Sequence, residues 1–99
     1  MALALKVDEK DNVATVFENG VVSGMTVAVR DKAGRTEDIK VIGDVPYGHK
    51  IAVKDIEAGA PVIKYGESIG AASRDIARGE YVHVHNMVAM RGRGDLAEG

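Results

Sequence analysis

The feature that most constrains this chain is a passage that repeats at a spacing of 20 residues. VKDIEAGAPVIKYG, residues 53–66, aligns with SRDIARGEYVHVHN, residues 73–86, so that Asp55-Ile56 matches Asp75-Ile76, Gly59 matches Gly79 and Val62 matches Val82. Each copy reads physically as an Asp capping a single helical turn, an Ile buried beneath it, a left-handed Gly ending it, and a strand leading away. Two copies are too few for a solenoid. They suit a compact, pseudo-symmetric β-fold.

The rest of the chain agrees with strands. Apolar residues alternate at Val13, Thr15, Phe17 and at Val27, Val29, the period of a half-buried strand. Residues 13–29 read as two short strands around Glu18-Asn19-Gly20, because Asn-Gly supplies the positive φ angles of a tight hairpin. A second break spans Asp31–Arg35. Lys40-Val41-Ile42 reads as a short strand stopped by Gly43-Asp44 and by Pro46 and Gly48. A helical turn or two is expected only near Ser68–Arg78, kept short by Gly66, Gly70 and Gly79. The expected fold is therefore mainly β with one or two helical turns, in a single domain over residues 1–90 followed by a polar, Gly-rich tail at 91–99.

Composition narrows the function. With 99 residues there is material for one core only. The net charge is -2, from 13 basic and 15 acidic residues mixed along the chain, so no basic field exists for nucleic acid or anionic lipid. There is no Cys, which removes disulfides, thiolate metal sites and thiol nucleophiles and fits a cytoplasmic setting. MALALKVDEKD meets charge too early for a signal segment, and no apolar run approaches the roughly 20 residues that span a bilayer. The Gly-rich run is not a phosphate loop, since no Gly-Lys-Ser or Gly-Lys-Thr follows it. Arg93-Gly94-Asp95 spells an adhesion tripeptide, read here as coincidence.

His49, His83 and His85 are the side chains that titrate near neutral pH. In YVHVHN, a strand would place His83 and His85 on one face and Val82 and Val84 on the other, in the core. The bland alternative is a solvated face bearing two His by chance, since imidazole metal sites need three or four ligands. His49 and Lys50 follow the rigid turn Pro46-Tyr47-Gly48, and Lys50 and Lys64 are candidate partners for a carboxylate. Asn86 can donate and accept at a hydroxyl, although Asn after a strand is more often a turn former. Glu67 and Glu80 are read as structural.

PYGHKIAVKDI, Pro46 to Ile56, and IKYGESIGAASRDIARGEYVHVHN, Ile63 to Asn86, closely resemble the amino-terminal SAF domain of the altronate and galactarate dehydratase family, which includes sulfolactate sulfo-lyase. The resemblance covers about 40 residues with several matching turn glycines. It implies a β-clip fold and a small subunit or domain that works with a large catalytic region. It also implies elimination of water, or of sulfite, from a sugar acid or 2-hydroxy acid. On this reading His83 and His85 are catalytic or metal-ligating, and His49, Lys50, Lys64 and Asn86 bind substrate. A divalent metal (Fe, Mn or Mg) would be held mainly by the large subunit. The alternative is a stand-alone carbohydrate-binding or protein-interaction module, and unpaired strand edges allow a homo-oligomer.

Overall fold

A computed structural model describes residues 2–89. The expected tail therefore lies outside the described residues. Nine strands form two sheets: β1 (Ala2–Leu5), β2 (Val13–Val16), β3 (Thr26–Arg30), β4 (Thr36–Lys40), β5 (Lys50–Ala52), β6 (Pro61–Lys64), β7 (Glu67–Ala72), β8 (Tyr81–Val82) and β9 (Met87–Ala89). The larger sheet runs β4-β3-β1-β2-β5-β8 and the smaller β6-β7-β9. The mainly-β expectation holds. No helix occurs among the described residues, and the helical turns expected near Ser68–Arg78 are replaced by β7 and a tight turn. β-Sheet pairing with β6 and β9 overrides the local tendency there.

The turn at Asn19-Gly20 exists, with Gly20 at φ 75°, but its flanking strands are not partners. β1 lies between them, antiparallel to β2 and parallel to β3. Val21 instead bridges to Val45. The strand expected at Lys40–Ile42 ends at Lys40: β4 pairs with β3 through Thr26↔Lys40, Val41 is buried after it, and Ile42 is largely exposed.

Where the length suggests one core, two lie on opposite faces of β2 and β5, each sharing those strands with the other. Ala14, Val16, Ile51 and Val53 join Val27, Ile39 and Val45 in the first; Val13, Ala52, Ile56, Val62, Ile76 and Val82 form the second. β2 is thus buried at all four positions, because both of its faces are covered. Asp11 and Asn12 fasten the segment before β2 to the hairpin of β6 and β7. Asp11 accepts from the backbone N–H groups of Val7, Asp8 and Gly66 (3.2, 3.0 and 2.8 Å). Asn12 donates to the Pro61 carbonyl and accepts from Ile63 N–H (2.9 and 2.7 Å). With every donor and acceptor paired, their burial costs little.

The 20-residue repeat folds as a reciprocal pair. Ile56 and Ile76 exchange both backbone hydrogen bonds at 2.8 Å. Gly59 N–H donates to Ala72 and Gly79 N–H to Ala52, each at 2.8 Å, with positive φ at both glycines. The capping differs from expectation in one respect. Asp55 accepts from Arg78 N–H (2.8 Å) and Asp75 from Ala58 N–H (2.9 Å), so each Asp caps the other copy's turn. Earlier in the chain Val21 and Val45 make a similar pair. There Ser23 N–H donates to Asp44 (3.1 Å), and Gly24 and Gly48 take positive φ. Four Val/Ile-x-x-Gly turns, docked two by two, organise the fold.

Candidate functional site

The second of each docked turn delivers a strand to the same edge of the larger sheet. β5 leaves the turn at Gly48 and β8 leaves the turn at Gly79, and they pair antiparallel through Lys50↔Val82 and Ile51↔Tyr81. Continuing that register by one residue brings His49 opposite His83, and their ring centroids are 4.7 Å apart. The Tyr81 hydroxyl lies 2.7 Å from Nδ1 of His49. Its ring is parallel to that of His83, with centroids 5.8 Å apart and 7° between planes, and is 5.2 Å from His85. Three imidazoles therefore gather around one phenol. Tyr81, packed on the first core, was not singled out in the sequence; its alternation with His83 and His85 in YVHVHN was the available signal.

The strand expected through Asn86 stops at Val82, and His83–Asn86 is a turn closed by Asn86 N–H donating to the His83 carbonyl (3.1 Å). Val84, expected in the core, stands at the tip with 77% of its surface exposed. The cause is Asn86. Its side chain accepts from His83 N–H (3.0 Å), donates to the Tyr81 carbonyl (2.8 Å) and lies 3.5 Å from Glu80 Oε2. It is wholly buried and its polar atoms hold the turn, in keeping with the turn-former alternative to contact with a substrate hydroxyl. Glu80 is likewise committed, to Arg74 and to Ala77 N–H.

Lys50 and Lys64 belong to the other side of the sheet. The period of two puts Lys50 with Ala52 and Val82, facing the second core, where β6 carries Lys64. Lys50 is half-buried. Its pKa is lowered, first by burial and then by the charge of Lys64. Lys64 lies 4.8 Å from the Tyr65 ring centroid, a cation–π contact. His83 is also held below its ordinary value, by desolvation first and then by His49, Lys50 and His85. Every charge acting on it is positive. The structure thus brings together His49, His83 and His85 around Tyr81, leaves Lys50 and Lys64 on the opposite face of the sheet, and buries Asn86.

Metal binding fits this chain poorly by itself. Among the described residues no group of three or more His, Asp or Glu side chains is placed to hold an ion. His83 and His85 each contact the ring of Tyr81, and a two-imidazole set falls short of a stable site. Three surface clefts, about 290 Å³ beside Asp31 and Arg35, about 410 Å³ over Ile56 and Ile76, and about 270 Å³ beside Leu5 and Arg30, do not include the imidazoles. His49 and His83 are half-buried and His85 is exposed. Among the described residues no helix is long and apolar enough to cross a membrane.

A small two-sheet β domain bearing an imidazole face is the class that this geometry defines. Residues 2–90 match the altronate/galactarate dehydratase SAF domain, and the chain belongs to that family. It is 40% identical over 86 residues to the (2R)-sulfolactate sulfo-lyase subunit alpha of Chromohalobacter salexigens, covering 85% of this chain and 90% of that one. It is 42% identical over 82 residues to the altronate dehydratase of Escherichia coli K12 and 37% identical over 82 residues to its galactarate dehydratase (L-threo-forming). Those matches cover 83% and 82% of this chain but only 15% and 14% of the two dehydratases.

Proposed function

We propose that this chain is the small subunit of a two-part lyase that eliminates water or sulfite from a sugar acid or other 2-hydroxy acid, at a site completed by a larger catalytic chain. The observation that carries the reading is the likeness itself: 40% identity over 86 residues to a relative named as a lyase subunit, beside 42% and 37% identity to proteins named as dehydratases. The imidazole face is what such a subunit would bring to a shared site.

The reaction class requires a base to take the proton α to a carboxylate, assistance to the group leaving from the β carbon, and stabilisation of the enediolate between them. The resulting enol becomes a 2-keto acid. His83, whose pKa is lowered first by desolvation and then by positive neighbours, suits the base. His85, exposed on the same turn, suits a contact with the departing oxygen or sulfite. Lys50 and Lys64 offer charge-assisted donors to the substrate carboxylate. A divalent metal, if the assembled enzyme uses one, would draw its ligands mainly from the larger chain.

Co-expression with the candidate large chain tests this, followed by an assay of 2-keto acid formation from sugar acids and sulfolactate. The expected result is copurification, activity that needs both chains, and a loss of 10²-fold or more in kcat for His83→Ala, the usual scale for a proton-transfer group. Full activity in both His83→Ala and His85→Ala, or retention of a sugar acid by the isolated chain with no large partner, would favour a binding module instead.

A further inference from the structure

Tyr81 is the hub of the imidazole group, and its hydroxyl has His49 Nδ1 as its hydrogen-bond partner at 2.7 Å. Its position is over-determined. The backbone of Tyr81 is paired with Ile51, its N–H donates to Ile42 (3.0 Å), its carbonyl accepts from Asn86, and its ring rests on the first core. A phenol so fixed sets the geometry of whatever it bonds. Between a phenol and a neutral imidazole, the better donor is the O–H, because the phenolic lone pair is delocalised into its ring, and the better acceptor is the sp² ring nitrogen. The nitrogen that carries the imidazole proton is decided by the bond made at the other nitrogen.

We propose that Tyr81 is a positioning residue that donates its hydroxyl proton to Nδ1 of His49, fixing His49 in the tautomer protonated at Nε2. His49 then faces incoming substrate as a hydrogen-bond donor, and His83, 4.7 Å away, is left as the acceptor of the pair. One face so arranged offers a donor to a hydroxyl, carboxylate or sulfonate oxygen and an acceptor to a proton. The tautomer stands on the geometry alone; its consequence for turnover rests on the lyase reading above.

The test is ¹⁵N NMR of the histidine rings in the isolated chain, at about pH 8, above the usual imidazole range near 6.5. The expected result is an unprotonated Nδ1 and a protonated Nε2 at His49. Tyr81→Phe, which keeps the ring and its stacking, should return His49 to the mixed tautomers of free imidazole. A proton on Nδ1 in the parent chain, or no change in Tyr81→Phe, overturns the proposal. In the assembled enzyme, Tyr81→Phe should lower kcat about tenfold and leave KM within about twofold, the pattern of a group that orients another. An unaltered kcat beside an inactive His49→Ala would sink the positioning role and leave the lyase reading standing. A fully active His49→Ala would sink the catalytic role of both residues, with the tautomer judged by the spectra alone.

Discussion

The two copies of the 20-residue repeat begin as near-equivalents and end as different things. Through Ile56-x-x-Gly59 and Ile76-x-x-Gly79 they share caps, backbone pairing and a buried Ile, although Gly59 is exposed and Gly79 buried. Beyond the turns they part. The first copy runs on as β6, Pro61-Val62-Ile63-Lys64, and is covered by β7. The second stops after Tyr81-Val82 and turns outward through His83-Val84-His85-Asn86. Positions that are Pro61, Ile63 and Tyr65 in one copy are Tyr81, His83 and His85 in the other. The Asp, Ile and Gly of the repeat supply the scaffold. The residues after it, free of that duty in the second copy, carry the chemistry.

Replacing each glycine by alanine should break the equivalence most visibly. Gly59 and Gly79 share a positive φ, but a Cβ at Gly59 meets nothing within 4 Å, whereas one at Gly79 would fall on the Lys40 carbonyl oxygen. Gly79→Ala should therefore cost about 3 kcal/mol or more and Gly59→Ala about 1 kcal/mol, measured by urea unfolding. Equal costs would mean that the close approach of β4 to the second copy is wrong. Next in size, Asn86→Ala should cost about 2–3 kcal/mol, since it leaves His83 N–H and the Tyr81 carbonyl without buried partners. Asp55→Ala and Asp75→Ala should each cost about 1 kcal/mol and should couple in a double-mutant cycle, because each caps the other's turn. The exposed Arg78–Glu37 pair at 3.1 Å should contribute at most about 0.5 kcal/mol.

The acid limb of stability sharpens the contrast further. His83 has a folded-state pKa below its unfolded value, so between the two the unfolded chain binds more protons and stability rises with pH. That contribution is complete above the ordinary imidazole range and is lost as pH falls through it, from about 6.5 downward. His83→Gln should flatten this limb in thermal melts, whereas substituting Ile63, its counterpart, adds no such slope.

Much of this was legible in residues. The repeat, its left-handed glycines and the β class follow from spacing and residue type, whereas the meeting of His49 with His83 depends on the pairing of β5 with β8. What escaped shares one cause, long-range pairing. β1 inserts between the strands flanking Asn19-Gly20, a contact that local turn chemistry does not encode. The alternation of YVHVHN looks like a strand until the buried Asn86 draws the backbone back and sends Val84 to the surface. Tyr81 read as a strand residue among others, because its partner His49 lies 32 residues away. The earlier pair of turns, at Val21 and Val45, lacks the second capping Asp and so did not register as a repeat.

Hydrogen exchange, comparing this chain alone with the chain bound to its large partner, tests most directly whether the imidazole face is the one a larger chain completes. Protection should appear at Tyr47–Lys50 and at His83–Asn86, with the Asp31–Arg35 hairpin unaffected. Protection confined to that hairpin or to β4, with the histidine turn exchanging as freely as before, would contradict the account.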